Sequence, residues 1–177
     1  MIDNLDARLQ RVADELEIRN LVARYVFAID DRDLAAVADL FATDGAFRSV
    51  DGVMDARGRE AVVEQFKGRY RVLGACNHVT HDHLVTVRSA TEATGLVSAH
   101  AELWRKGETM ITALRYADIY TKAEGAWRFA ERTLSFLYYA PLAEYRNILG
   151  RRERNLAYDE PRPADYPEQL PTWTNYG

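Results

Sequence analysis

Hydrophobic positions follow two regimes along this chain: helical spacing up to about residue 72, and alternation after it. Leu5, Leu9, Val12, Leu16, Leu21, Val22, Tyr25, Val26 and Ile29 recur three, four and occasionally five residues apart, which is the stripe of a long amphipathic helix. That helix is expected to end at the acidic cluster Asp30, Asp31 and Asp33. Asp33 then serves as N-cap for a short second helix over Leu34 to Phe41. A turn at Thr43-Asp44-Gly45, a brief strand from Ala46 to Val50 and a hairpin-type turn at Asp51-Gly52 follow. Helical spacing returns from Arg59 to Val72 through Ala61, Val62, Phe66 and Tyr70.

From Cys76 the period changes to two. Cys76 to Val87, Gly95 to Trp104, Glu108 to Thr121 and Trp127 to Tyr139 are four long runs joined by short turns, which predicts an antiparallel meander. Helices followed by a meander give an α+β domain in which the helices cover one face of the sheet. Strands this long in so small a domain curl, and a curled sheet closed by helices encloses a pocket for a small molecule.

The tail differs in kind, so the chain divides into a body over residues 1–145 and an arm over 146–177. Arg146 to Arg154 is basic, and Pro161, Pro163, Pro167 and Pro171 exclude regular helix and central strand beyond it. Tyr166, Trp173 and Tyr176 argue for an extended arm laid over the body or over a neighbouring subunit.

Composition narrows the classes. With 177 residues, 47% hydrophobic, the chain supports one good core. A net charge of -4 without a basic stripe speaks against nucleic acid. No apolar run reaches the roughly 18 residues of a membrane span, and the acidic N-terminus lacks the pattern of an export signal. The single cysteine, Cys76, builds no disulfide and suits a reducing cytoplasm; it reads as a small buried residue rather than a nucleophile.

Three of the four histidines lie in Cys76 to Val87. Strand alternation puts His78 on one face with Thr80, Asp82 and Leu84, and puts His81 and His83 on the other with Val79, Val85 and Val87. A metal site would need ligands from both faces, so no metal is expected. The second face, apolar at Val79, Val85 and Val87, predicts a homo-oligomer, dimer or trimer. On the next strand His100 shares a polar face with Ser98 and Glu102. On the last, Arg132 alternates with Ala130, Leu134, Phe136 and Tyr138, and an arginine on so apolar a face needs an anion or an oxygen.

The order of a first helix, YVFAIDDRDLAAVADLFATDGAF, a DG turn, RGREAVVEQF, HVTHDHLV and GAWRFAERTL resembles the SnoaL-like branch of the nuclear transport factor 2-like (NTF2-like) superfamily over roughly residues 8 to 140. The resemblance implies a cystatin-like, cone-shaped α+β fold, with a curved mixed, largely antiparallel sheet wrapped by N-terminal helices. It implies proton abstraction without metal or organic cofactor, in a lyase or isomerase of the dehydratase or dehydrochlorinase kind acting on an apolar cyclic small molecule. Matched residue by residue, it makes His78 the base and Asp30 its orienting carboxylate. Tyr25, His100 and Arg132 become groups that bind a carbonyl, leaving group or oxyanion. Asp82 stands where the family often has Asn. The same fold also serves as a non-catalytic module, such as the small subunit of ring-hydroxylating dioxygenases, and whether Asp30 and His78 meet in a closed cavity separates the two.

Overall fold

The computed structural model describes residues 4–175. Tyr176 of the tail, like residues 1–3, lies outside them. Helix α1 (Leu5–Asp30) is capped by the Asn4 side chain, and α2 (Leu34–Leu40) by Asp33, whose carboxylate accepts the Ala36 N–H at 2.9 Å. Two short strands, β1 (Phe41–Ser49) and β2 (Asp55–Arg57), precede α3 (Arg59–Tyr70). Four long strands follow: β3 (Leu73–Val87), β4 (Glu92–Arg105), β5 (Glu108–Ala123) and β6 (Ala126–Pro141). They form one curved sheet in the order β2-β1-β6-β5-β4-β3, antiparallel except where β1 runs parallel to β6.

The expected turn at Thr43-Asp44-Gly45 is instead an irregular stretch inside β1. Pairing to β6 begins at Phe41 opposite Phe129 and resumes at Ala46 opposite Glu131. A side chain on Gly45 would come within 2.7 Å of the Phe129 carbonyl, so the close approach of the two strands selects glycine there.

The core lies between α1 and the concave face of the sheet, where Ile18, Leu21, Val22 and Tyr25 meet Phe41, Phe47, Phe66 and Phe129. The N-terminal part of the apolar stripe is not part of it. Leu16, between buried Asp14 and Ile18, is exposed because it lies on the opposite side of the helix from them, and Leu5, Leu9 and Val12 are exposed because the helix outruns the sheet. Its last anchor is Asp14, buried, which accepts hydrogen bonds from Trp127 Nε1 at 2.9 Å and Lys122 Nζ at 2.8 Å.

After β6 the chain forms a 3-10 helix (Leu142–Gly150) and then the tail. β1 pairs with β6 only as far as Leu134, so the β6 edge beyond it would be left with unpaired backbone groups. The tail fills that edge. Tyr139 N–H donates to Arg154 O at 2.9 Å, Leu156 N–H to Tyr139 O at 2.7 Å, and Asp165 N–H to Phe136 O at 2.9 Å. Arg154, buried, clamps the segment through a bidentate pair with Glu168 at 2.7 and 2.8 Å. Deleting residues 151–177 is therefore expected to lower the melting temperature by more than about 5 °C while leaving the circular-dichroism signature of the sheet intact.

Candidate active site

The C-terminal end of α1 crosses the start of β3, and this brings Asp30 to His78. The Asp30 carboxylate is fixed by one residue twice. Its Oδ2 accepts the His78 backbone N–H at 2.7 Å, and its Oδ1 lies 2.5 Å from His78 Nδ1. An ionised carboxylate only accepts, so the ring proton sits on Nδ1 and the lone pair is left on Nε2. The two side chains are 18% and 9% exposed, a nearly enclosed pair.

His78 forms part of the wall of a chamber completed by Tyr25 and Ile29 of α1, Arg69 of α3, Leu103 of β4, Thr112, Leu114 and Tyr116 of β5, and Leu134, Phe136 and Tyr139 of β6. Its free volume is about 20 Å³, room for a water molecule. A second chamber of about 180 Å³ shares Arg69, Phe136 and Tyr139 with it and continues outward. The tail helps to line this outer chamber with Ala157 and Tyr158, and the Tyr158 hydroxyl donates to Asp51 Oδ2 at 2.5 Å.

Of the five residues singled out in the sequence, His78 and Tyr25 line the inner chamber, and Asp30 holds His78 from behind. Burial pushes the Tyr25 hydroxyl well above the usual phenol range, aided by Tyr116 and opposed by the Arg132 and Arg69 charges, so it is a donor at neutral pH. His100 is elsewhere. It lies on the outer, convex face of the sheet, its Nδ1 2.8 Å from His81 Nε2. The strand alternation of β4 buries Ala99, Ala101 and Leu103, and the cone closes over that apolar face rather than over the polar one. Arg132 is fully buried beneath the chamber and already has its anion. Its Nε and Nη2 donate to Asp118 at 2.9 and 2.8 Å, and its guanidinium stacks 4.1 to 4.3 Å from the ring centres of Tyr116, Phe129 and Tyr25.

His83 is also not where simple alternation puts it. Thr80 pairs with Ala99 and His83 with Val97, so His81 and Asp82 together oppose Ser98, whose hydroxyl accepts the Asp82 N–H at 3.1 Å. This bulge resets the strand. His83, Val85 and Val87 turn to the concave side with His78, while Leu84 turns outward. His83 Nε2 lies 3.0 Å from the Tyr120 hydroxyl, which donates to Asp118 Oδ2 at 2.7 Å, so one chain of polar contacts runs from His83 to Arg132. A side chain on Gly95 would sit 2.7 Å from the Tyr120 hydroxyl and 3.0 Å from His83 Nε2, which keeps that position open.

Burial lowers His83 to about 4, against the opposing pull of Asp118. A histidine titrates near 6.5 when unfolded, so between those values the unfolded chain binds the extra proton. Stability from this group is present above about pH 6.5 and is lost as pH falls toward 4. The urea midpoint of the wild type is expected to drop between pH 7 and pH 5, and to drop less in His83→Gln.

Tyr116 and Arg69 carry no resemblance-based assignment, although both lie at this site. Each had a signal. Tyr116 alternates with Leu114, Asp118 and Tyr120, and Arg69 falls three residues after Phe66 and seven after Val62, a cation on a buried stripe. Among the described residues no three His, Cys, Asp or Glu side chains converge as metal ligands.

The chain belongs to the SnoaL-like domain family, whose pattern matches residues 10–133. Its architecture is the NTF2-like α+β cone. Gamma-hexachlorocyclohexane dehydrochlorinase from Sphingobium indicum is 22% identical over 138 residues, which span 76% of this chain and 88% of that enzyme. Among solved structures, LinA superposes with a TM-score of 0.72 at 22% identity, over 77% of this chain and 94% of LinA. A scytalone dehydratase-like protein from Novosphingobium aromaticivorans gives 0.69 at 21% identity, over 75% of this chain and 89% of that one. A protein of unknown function from Mycobacterium tuberculosis is 30% identical, with a TM-score of 0.65 over 76% of each chain. Among the described residues no helix is long and apolar enough to cross a membrane.

Proposed function

We propose that this protein is a cofactor-independent lyase or isomerase of the dehydratase kind, acting on an apolar cyclic small molecule. The observation that carries the reading is the Asp30–His78 pair, whose imidazole lies in the wall of an otherwise mostly apolar chamber. In an elimination, His78 Nε2 takes a proton from a ring carbon. The C–H electron pair becomes the new double bond, and the leaving group departs with the electrons of its own bond. Asp30 holds the ring orientation and stabilises the imidazolium formed in that step. Tyr25 and Tyr116 line the same chamber with their hydroxyls hydrogen-bonded to each other, which leaves one hydroxyl proton to donate to a carbonyl or a departing group. Arg132 acts through the rings it supports. His100, on the convex face, has no part in this chemistry.

The test is an assay of purified protein with γ-hexachlorocyclohexane, read by chloride release, and with a cyclic β-hydroxy ketone, read by absorbance of the conjugated product. Turnover of at least one class, lost in Asp30→Asn, is the expected result. The second reading, a non-catalytic ligand-binding or subunit module, is favoured by the small free volume beside His78. Binding of either compound without turnover would select it.

Assembly belongs to the same proposal. Val79, Leu84, Leu96, Trp104 and Ile119 are exposed large hydrophobic residues on the convex face, and this supports a homo-oligomer. Sedimentation equilibrium at micromolar concentration is expected to give a dimer or trimer, and a monomer for Leu84→Lys combined with Trp104→Lys if that face is the interface.

A further inference from the structure

Two guanidinium groups line the outer chamber, Arg69 from α3 and Arg105 from the end of β4, and no acidic residue lines it with them. Half-buried Arg59 and Arg115 are met by the Phe41 carbonyl and the Tyr166 ring, whereas Arg132, Arg154 and Arg48 have carboxylates: Arg132 has Asp118, Arg154 has Glu168, and Arg48 has Asp55 and Glu131. Arg69 and Arg105 have none among the described residues. Arg69 Nη1 donates to Met54 Sδ at 3.5 Å, and its guanidinium lies 5.6 and 5.9 Å from the ring centres of Phe66 and Phe47. Arg105 lies 5.6 Å from the ring centre of Tyr139. Contacts with aromatic faces and a thioether leave most of the ten N–H donors of the two groups without a strong acceptor. A pair of like charges facing one apolar chamber is costly unless an anion enters it.

The position of Arg69 gives that anion a place in the reaction. Arg69 lines both chambers, so it stands between the outer one and His78. We infer that the outer chamber binds the carboxylate of a small cyclic carboxylic acid, held by Arg69 and Arg105 while the ring points inward to His78. This rests on the reading of Asp30 and His78 as the reactive pair and narrows the substrate class from an apolar ring in general to an apolar ring that carries one carboxylate. A carboxylate matches the planar fork of a guanidinium, and about 180 Å³ suits a single ring rather than the drug-sized ligands of 300–1,000 Å³ sites. The carboxylate is remote binding energy that aligns the ring, and it takes no part in bond breaking.

The experiment is isothermal titration of the full chain at pH 7 with benzoate and with benzamide, a pair matched in shape and differing in charge. Wild type is expected to bind benzoate at least tenfold more tightly than benzamide. Arg69→Gln and Arg105→Gln should each reduce that preference to under threefold while changing the benzamide Kd less than twofold. Arg69→Lys, which keeps the charge and loses the fork, should retain an intermediate preference; the near-constant benzamide Kd shows that the variants are folded. Asp30→Asn should retain the full preference, so loss of turnover in that variant reports on the reactive pair and not on the anion site. Equal affinity for the two probes, no detectable binding of either, or a preference that survives Arg69→Gln overturns the inference.

Discussion

Replacing His78 by Ala is expected to lower turnover of an accepted substrate by about 10²–10⁴-fold, the contribution of a positioned general base. No other imidazole can substitute. His83 is committed to Tyr120, and His81 and His100 pair with each other on the convex face. Asp30→Asn should be informative in a different way. The amide keeps the shape of the side chain, but an Asn nitrogen placed at either contact would face a donor, and an Asn oxygen can accept from only one of the two groups now held. The His78 ring thereby loses either its tautomeric bias or its backbone anchor, and the imidazolium loses its counter-charge. The expected signature is a fall in kcat with substrate affinity largely kept. His100→Ala, by contrast, should leave kcat within about twofold. If His78→Ala retains wild-type turnover, the pair is structural and the non-catalytic reading leads.

Asp118→Ala is expected to be the most damaging single substitution for stability, by about 3–5 kcal/mol, because it strands a fully buried guanidinium. For a chain of this size that corresponds to a fall of about 6–20 °C in melting temperature. The loss would extend beyond the ion pair. Tyr120 would lose the acceptor of its hydroxyl proton, and the three rings around Arg132 would surround an uncompensated cation. A double variant, Asp118→Leu with Arg132→Met, should recover much of the deficit, since replacing both charges leaves nothing unpaired. Thermal unfolding of the two variants checks both statements. If Asp118→Ala melts within a few degrees of wild type, the pair is not buried as described.

Arg132 shows how far a residue-by-residue resemblance reaches. The residue lies close to the candidate site, since Tyr25 and Tyr116 rest on it and form part of the chamber wall. Its role differs from the expected one because Asp118, on the neighbouring strand, already supplies the anion that an arginine on an apolar face needs. Nothing in the linear order pairs residue 118 with residue 132. The register of β5 against β6 does, by setting Asp118 opposite Arg132.

The amino-acid sequence by itself determined α1 to α3, the four long strands and their order, but not β2 or the 3-10 helix. Apolar spacing of three and four marks α1, α2 and α3, alternation marks β3 to β6, and Asp33 and the Asp51-Gly52 turn mark boundaries, because each of these depends on interactions within a few residues. It also placed the end of α1 at the cluster that holds Asp30, and His78 in the first half of the first long strand. Tertiary structure decided where that alternation breaks, and so which side chains share a face beyond each break. Bulges at His81-Asp82 and near Leu137 each add one residue against the partner strand, and with a period of two, a single extra residue moves everything after it to the other side of the sheet. His83 thereby joins the concave face and Tyr138 leaves it. The sheet's curvature likewise decided that the apolar face of β4 is the enclosed one, which leaves His100 outside, and the unpaired edge of β6 decided where the tail lies. These outcomes depend on pairing between segments tens of residues apart, and local propensity carries no record of that pairing.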